Sequence, residues 1–165
     1  MEKREVRPNI VTYNVLIDGY GKIDNLEEAK WLFEEMEEKG VRLDTIVYNT
    51  LIDGYYKKGN LEEANRQFEE MEKKGVRYDT VTYTTLIDGY DKIGNLEEEN
   101  RLFKGMEKRG VRPNVVTCNV LIDGYGKKGK LEEAKQLFKE MENIGVRLDT
   151  IAYNTLIYEY RKKRT

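Results

Sequence analysis

The chain repeats one phrase every 35 residues, and this period limits the possible folds more than any other feature. The phrase is IVTYNVLIDGYGK at Ile10, and it returns with small changes at Thr45, Thr80, Val115 and Thr150. A fixed period of this size is typical of stacked repeats, in which each unit buries its apolar face only against its neighbours. The repeats are 10–44, 45–79, 80–114 and 115–149, followed by a half repeat, 150–165, which we expect to act as a capping helix. Residues 1–9 read as the tail of a preceding repeat.

Each repeat is predicted to form two helices. The apolar residues of the second repeat fall at helical spacing in both halves: Tyr48, Leu51, Ile52 and Tyr55, then Leu61, Ala64, Phe68 and Met71. A glycine follows each second half, at Gly40, Gly75, Gly110 and Gly145, where a left-handed C-cap is expected. The predicted fold class is all-α, a right-handed α-solenoid of helix-turn-helix repeats.

Two smaller features of the repeat also predict local structure. Asn60, with Glu63 three residues later, suits a capping box at the start of the second helix, and Asn25 and Asn95 repeat the device. Glycines such as Gly54 lie inside the first helix, where glycine costs up to about 1 kcal/mol relative to alanine. We expect these glycines to admit the backbone of a neighbouring helix.

Composition excludes several classes of function. The 165 residues include no histidine and one cysteine, so histidine-dependent catalysis, histidine zinc sites and an intrachain disulfide are excluded. We expect no enzyme activity, no cofactor, no metal and no membrane span. Residues 1–9 have no apolar stretch, which predicts neither a secretory signal nor a transit peptide. Such similar repeats are also typical of an excised or designed fragment.

The net charge of −2 conceals an uneven distribution. The four second-helix segments (26–39, 61–74, 96–109 and 131–144) contain 19 acidic and 11 basic residues, a net charge of −8, which leaves 12 acidic and 18 basic residues elsewhere. This asymmetry predicts one acidic face and one basic face.

The repeated phrase, VTYN–LIDGY–K followed by LEEA–LF–EM–KG, resembles the pentatricopeptide repeat (PPR) family over residues 10–165. The 35-residue period and the absence of the tryptophan signature disfavour tetratricopeptide repeats. Members of the PPR family bind single-stranded RNA, one base per repeat, which two or three side chains read. The resemblance implies the same function here. It also implies a mitochondrion or plastid as the compartment.

In that family the base is read by the residue after the tyrosine of TYN together with the last residue of the repeat. These pairs are Asn14 with Asp44, Asn49 with Asp79, Thr84 with Asn114, and Asn119 with Asp149, and the half repeat supplies Asn154 alone. By the family's code Asn/Asp prefers U and Thr/Asn prefers A, which predicts the sequence U-U-A-U. Both members of the pair change together in the third repeat while their surroundings stay nearly constant, which favours reading. The alternative is that the asparagines start helices and the repeat-end residues are only N-caps.

Two further sets occur once per repeat. Branched apolar residues near the start of each first helix would sandwich the bases by resemblance, or would pack against the next hairpin: Val11, Ile46, Val81, Val116 and Ile151. Lysines at the end of each first helix would contact phosphates by resemblance, or would only complement the helix dipole: Lys22, Lys57, Lys92, Lys127 and Lys162.

The sequence therefore predicts a sequence-selective, non-catalytic binder of single-stranded RNA. The alternative is a helical-repeat scaffold that binds a protein or a peptide in its groove. The acidic second helices favour a protein partner, whereas the lysine set and the covarying pair favour RNA. Self-association through exposed solenoid ends is a further expectation.

Overall fold

The computed structural model describes residues 8–164, and all of the regular structure in that range is α-helical. The helices are α1 (Ile10–Lys22), α2 (Leu26–Glu38), α3 (Thr45–Lys57), α4 (Leu61–Lys73), α5 (Thr80–Lys92), α6 (Leu96–Lys108), α7 (Val115–Lys127), α8 (Leu131–Asn143) and α9 (Thr150–Arg164). The predicted two helices per repeat and the all-α class are confirmed. The tail assigned to residues 1–9 lies outside the described residues except for Pro8 and Asn9.

The chain divides after Tyr78 into two compact units. In the first unit, α1 packs against α2 and α3, and α3 packs against α2 and α4. Its core is formed by side chains that the helical period predicts to be apolar: Tyr13, Ile17, Met36, Tyr48, Leu51, Ile52 and Met71. The rings of Phe33 and Tyr48 meet edge to face with centroids 5.6 Å apart. Each large apolar side chain buried in this way contributes roughly 1.5–3 kcal/mol to folding.

The second unit uses the same packing on α5 to α9. Helix α5 packs against α6 and α7, and α7 packs against α8 and α9. The core side chains occupy the same repeat positions as in the first unit: Tyr83, Leu86, Ile87, Met106, Cys118, Leu121, Ile122 and Met141. Cys118 replaces the core tyrosine of the other repeats and is fully buried. Burial raises the pKa of its thiol to about 12, which makes it a poor nucleophile.

The glycine after each second helix has the predicted left-handed conformation. Gly40 has φ of +66°, and the N–H of Val41 donates to the carbonyl of Met36 across it at 2.9 Å. This bond satisfies a carbonyl that the helix end would otherwise leave unpaired. Gly75, Gly110 and Gly145 repeat the turn, so the predicted C-caps are confirmed.

The predicted capping boxes are only half correct. The side chain of Asn60 accepts a hydrogen bond from the N–H of Glu63 at 3.1 Å, and Asn25 and Asn95 cap α2 and α6 in the same way. However, the backbone N–H of Asn60 donates to the carbonyl of Tyr55 instead of to the Glu63 carboxylate. The preceding helix already satisfies that donor, so Glu63 pairs with Arg66.

The expected role of the glycines inside the first helices is wrong where their surroundings are described. A Cβ at Gly54 would lie 2.7 Å from Cδ1 of Leu26, and one at Gly124 would collide with the Glu99 carboxylate. Both neighbours are side chains of the preceding second helix. These two glycines therefore make room for side chains, since the three atoms nearest to each added Cβ all belong to side chains.

Candidate nucleic-acid interface

The reading pair of the first repeat is joined by a direct hydrogen bond. Asn14 lies on α1, and Asp44 is the residue that caps α3. The amide nitrogen of Asn14 donates to Oδ2 of Asp44 at 2.6 Å, while Oδ1 of Asp44 accepts the N–H groups of Ile46 and Val47. One carboxylate oxygen thus caps the helix and the other holds the asparagine. The N-cap alternative is correct for Asp44, and it coexists with the pairing.

The fourth repeat reproduces this arrangement in the second unit. The amide nitrogen of Asn119 donates to both carboxylate oxygens of Asp149, at 3.2 and 3.3 Å. Oδ1 of Asp149 also accepts the N–H groups of Ile151 and Ala152 at the start of α9. The same two residue types at the same repeat positions therefore form the same contact in both units.

These bonds fix the orientation of both asparagine amides. A carboxylate only accepts hydrogen bonds, so the atom facing Asp44 or Asp149 must be the amide nitrogen. Oδ1 of Asn14 and Oδ1 of Asn119 are left buried, with no hydrogen-bond donor among residues 8–164. A buried acceptor without a partner costs about 1–3 kcal/mol, so a donor from a ligand would stabilise each site.

The remaining predicted readers fall in different places. Asn49 lies on α3 in the first unit, and Asp79 caps α5 in the second, where its Oδ1 accepts the N–H of Thr82 at 2.8 Å. Asn154 is exposed on α9.

The third repeat replaces the direct bond by a bridge through a third residue. Thr84 on α5 does not bond to Asn114, the N-cap of α7, but its hydroxyl lies 2.7 Å from the hydroxyl of Thr117. Thr117 in turn contacts Oδ1 of Asn114 at 3.1 Å. The threonine side chain is too short to reach the repeat-end residue, and Thr117 spans the gap. Sequence reasoning missed Thr117. The signal was visible in the repeats, because this position is a threonine in three of them (Thr12, Thr82 and Thr117) and differs only at Val47 and Ala152.

The branched apolar residues are exposed at the start of every first helix. Between 52% and 63% of each is exposed: Val11, Ile46, Val81, Val116 and Ile151. Protein packing therefore covers less than half of each side chain, and the larger part of each stays exposed. In the first repeat Val11 lies three residues before Asn14, followed by Asp18 and Lys22 at spacings of four, so the four residues share one face of α1.

The five lysines are also exposed, and each has an acidic partner. The i−4 aspartate pairs with the lysine in four repeats: Lys22–Asp18 at 2.6 Å, Lys57–Asp53 at 2.9 Å, Lys92–Asp88 at 2.5 Å and Lys127–Asp123 at 2.5 Å. Lys162 lies 3.9 Å from Glu159. Helix-dipole complementation and ion pairing therefore both apply, and the lysines are available to a phosphate only in competition with these carboxylates.

Because these lysines are paired with acidic residues, the first helices of the four full repeats do not supply the predicted basic face. Helices α1, α3 and α7 each contain one aspartate and one lysine, so none of them carries a net charge. The basic excess lies instead in the turns, as at Lys128 and Lys130, and in residues 161–164 of α9. The second helices are acidic, as the sequence predicts.

A group of buried acidic residues distinguishes the second unit. Glu99 on α6 is 1% exposed and occupies the position of Ala29, Ala64 and Ala134 in the other repeats. Burial, together with the nearby charge of Asp91, raises the pKa of Glu99 to about 7. Burial also raises the pKa of Asp91, against the opposing effect of its hydrogen bond from Lys127 at 2.7 Å.

The part of the chain that the structure describes contains neither a cluster of three metal-ligating side chains nor a helix suited to span a membrane. No three histidine, cysteine, aspartate or glutamate residues between 8 and 164 are grouped so as to bind a metal ion. None of the helices in that range has the length and apolar character that crossing a bilayer requires. The tyrosines Tyr13, Tyr48 and Tyr83 are core residues and do not form stacking surfaces.

The helix pairs and the repeat period define an all-α repeat solenoid. The chain belongs to the pentatricopeptide repeat family: residues 43–92 and 113–162 match the PPR repeat family, residues 68–128 match the pentatricopeptide repeat domain, and residues 11–41 match the PPR repeat. No match was found among curated proteins.

Solved structures of PPR proteins share the fold. The chain resembles the pentatricopeptide repeat protein PPR10 from maize with a TM-score of 0.85 and 26% identity, over 95% of this chain and 22% of PPR10. It resembles PPR10 in complex with an 18-nt psaJ RNA element with a TM-score of 0.80 and 28% identity, over 98% of this chain and 24% of PPR10. The chain thus spans less than a quarter of the length of PPR10.

The PPR domain of Arabidopsis thaliana protein-only RNase P 1, in complex with tRNA, is similar with a TM-score of 0.79 and 19% identity, over 93% of this chain and 81% of that domain. At this identity the likeness concerns the fold alone.

Proposed function

We propose that the chain binds single-stranded RNA in a sequence-selective way, reading one base per repeat with the preference U-U-A-U, and that it does so without catalysis. The observation that carries the proposal is the pairing of an exposed branched apolar residue with a hydrogen-bonding pair at the start of the first helix. In the first repeat these are Val11 and the Asn14–Asp44 pair. An apolar side chain can contact the face of a base while the polar pair contacts its edge. The crystal structure of PPR10 with an RNA element supports RNA as the ligand.

The geometry of the Asn/Asp pairs suits uracil. The amide oxygen of Asn14 lacks a donor, and uracil offers the N3–H of its Watson–Crick edge. The amide oxygen of Asn119 also lacks a hydrogen-bond donor among the described residues, so the first and fourth repeats favour the same base. Adenine and cytosine have an unprotonated acceptor nitrogen at the corresponding place, which would face the asparagine oxygen without a hydrogen between them.

Direct binding measurements test the proposal. Fluorescence polarisation should be recorded with labelled RNAs that carry UUAU, UUUU, UUGU or UUCU within one constant flanking sequence, with single-stranded DNA and an acidic peptide as controls. We expect UUAU to bind best, with each wrong third base raising the Kd by about five- to thirtyfold, which corresponds to about 1–2 kcal/mol, the lower part of the range for one base-edge contact. Equal binding of all four RNAs would rule out base reading, and tighter binding of the peptide would favour the protein-binding scaffold.

A further inference from the structure

We propose that Thr117 is a third specificity-determining residue of the third repeat, which positions the hydroxyl of Thr84 and the amide of Asn114 so that together they select adenine. The inference rests on the proposed RNA-binding function and deepens it. It assigns a role to a residue that belongs to the following repeat and that is completely buried.

The first step concerns the orientation of the Asn114 amide. Its Oδ1 accepts the backbone N–H of Thr117 at 3.0 Å, as an N-cap requires. Only the oxygen of the amide can accept a hydrogen bond, so this contact fixes which end of the amide faces α7. The NH2 group of Asn114 therefore points away from the helix start, on a side chain that is exposed.

The second step concerns the single hydrogen of the Thr117 hydroxyl. Oγ1 of Thr117 lies 3.1 Å from Oδ1 of Asn114, and two oxygens at this distance repel unless a hydrogen lies between them. Because Oδ1 carries no hydrogen, Thr117 must donate. The backbone N–H of Asn114 also donates to Oγ1 of Thr117, at 3.3 Å. These two contacts occupy the hydrogen and one lone pair of the hydroxyl.

The third step follows for Thr84. Its hydroxyl lies 2.7 Å from that of Thr117, whose hydrogen is already committed to Asn114. Thr84 must therefore donate to Thr117, and only its lone pairs remain for a ligand. The third repeat thus presents an acceptor, Thr84 Oγ1, and a donor, the NH2 group of Asn114.

This pattern matches the Watson–Crick edge of adenine. Adenine offers its N6 amino group to the acceptor and its N1 lone pair to the donor, whereas guanine and uracil carry a carbonyl oxygen where adenine has the amino group. Cytosine has the same pattern as adenine on a smaller ring. Without Thr117 the Thr84 hydroxyl would rotate freely and could donate to a carbonyl. Thr117 therefore supplies the discrimination against guanine and uracil.

The chain itself provides the control for this role. Val47 and Ala152 occupy the position of Thr117 after the first and fourth repeats, where Asn14 and Asn119 bond directly to their aspartates. In these two repeats the hydroxyl is absent and the longer asparagine needs no bridge, whereas Thr82 carries the hydroxyl after Asn49 in the second repeat. Thr82 forms the same type of capping box on α5 as Thr117 forms on α7, so it shares the capping role of Thr117.

The test compares Thr117→Val, Thr117→Ser and Thr82→Val with the unaltered protein, using the UUAU, UUGU, UUUU and UUCU RNAs. We expect Thr117→Val to reduce the preference for A over G and over U from about tenfold to about twofold, with a smaller change against C. Thr117→Ser, which keeps the hydroxyl, and Thr82→Val, which alters the equivalent cap on α5, should both retain the preference at the third base. If Thr117→Val does not fold, Thr117→Ala replaces it, since Ala152 occupies this position in the chain.

The outcomes separate this inference from the proposed function. If the unaltered protein does not distinguish the four RNAs, the proposed function fails. If the unaltered protein prefers A and Thr117→Val prefers it equally, Thr117 has no role in specificity. A uniform loss of affinity for all four RNAs in Thr117→Val would also overturn the inference, because it would indicate a purely structural residue.

Discussion

The first and third repeats have the same helices of the same length, but they hold their reading residues in different ways. In the first repeat, asparagine reaches the aspartate directly and Val47 stands at the neighbouring position. In the third repeat, the shorter Thr84 is connected to Asn114 through Thr117. The comparison teaches that the two reading residues must be considered together with a residue near the start of the next repeat's first helix, which is Val47 in one case and Thr117 in the other. A change at one reading position alters the hydrogen-bonding requirements of a residue in the next repeat.

The two repeats also differ in their interiors. The position of Ala29 on α2 is occupied by Glu99 on α6, and the position of Gly21 on α1 by Asp91 on α5. Both carboxyl groups lie beside Gly124, where Glu99 Oε2 and Asp91 Oδ1 have no hydrogen-bond partner among the described residues. Two buried acids at one place cost free energy that the alanine and glycine of the first repeat do not. The third repeat is therefore the less stable interior of the two.

Among these predictions, removal of Glu99 should give the largest change in free energy, which is a change in the free energy of unfolding. The folded-state pKa of Glu99, about 7, lies above its ordinary value of 4.5, so the folded state binds the proton more tightly than the unfolded state does. Stability should therefore decrease as the pH rises from about 5 to above 7. Glu99→Ala should raise the free energy of unfolding at pH 8 by on the order of 2–3 kcal/mol and should abolish most of that pH dependence. Urea denaturation at pH 5 and pH 8 measures both quantities.

The reverse substitution in the first repeat completes the comparison. Ala29→Glu should lower stability at pH 8, because Ala29 is buried and a carboxylate at that position would lose its hydration. The idea fails if Glu99→Ala is no more stable than the unaltered protein at pH 8, or if the pH dependence of unfolding is unchanged.

Converting the reading pair of the third repeat into that of the first should give the next largest change in free energy. Thr84→Asn with Asn114→Asp recreates the pair of the first repeat, so the preference at the third base should move from A to U. The preference should amount to about 1–2 kcal/mol, and the total affinity should stay nearly constant because the apolar and lysine contacts are unchanged. Polarisation with UUAU and UUUU measures the exchange. A uniform loss of affinity would indicate damage to the fold and would contradict recoding.

The lysines should contribute less to the free energy of RNA binding, and they should contribute equally in the second and third repeats. Lys57→Glu and Lys92→Glu should each weaken every RNA by up to about 1 kcal/mol without changing the base preference. Because each of the five lysines already has an acidic partner, log K should decline with log salt less steeply than about −0.7 for each lysine. A salt series with UUAU and UUUU tests this. A change of base preference in either variant would contradict a phosphate role.

The weakest interaction that we expect is self-association of the chain. Val15 and Leu16 are exposed on α1, and Ile157 and Tyr158 are exposed on α9. Exposed apolar faces on repeat proteins favour contact between copies. We expect a weak, concentration-dependent dimer in sedimentation velocity, which Leu16→Lys or Ile157→Lys reduces. A strict monomer over the whole concentration range would remove this expectation.

Much of the fold could be predicted from the sequence, because its period is strict and its caps are local. The helical spacing of Tyr48, Leu51 and Ile52 and the glycine at position 40 depend only on nearby residues. The bridge through Thr117 and the burial of Glu99 could not be predicted. Both depend on contacts between residues at least 25 positions apart, and the side chains involved are equally compatible with exposed positions.

The aspartate partners of the lysines have a consequence for how quickly the chain finds its ligand. Because α1, α3 and α7 are electrically neutral, the unbound surface exerts little long-range attraction on a polyanion. Association should therefore proceed at ordinary diffusive rates of about 10⁵–10⁷ M⁻¹s⁻¹, without the acceleration that a strongly basic groove provides. Heparin, double-stranded DNA and non-cognate RNA would then compete poorly, and discrimination among nucleic acids would begin at the encounter, before any base is read.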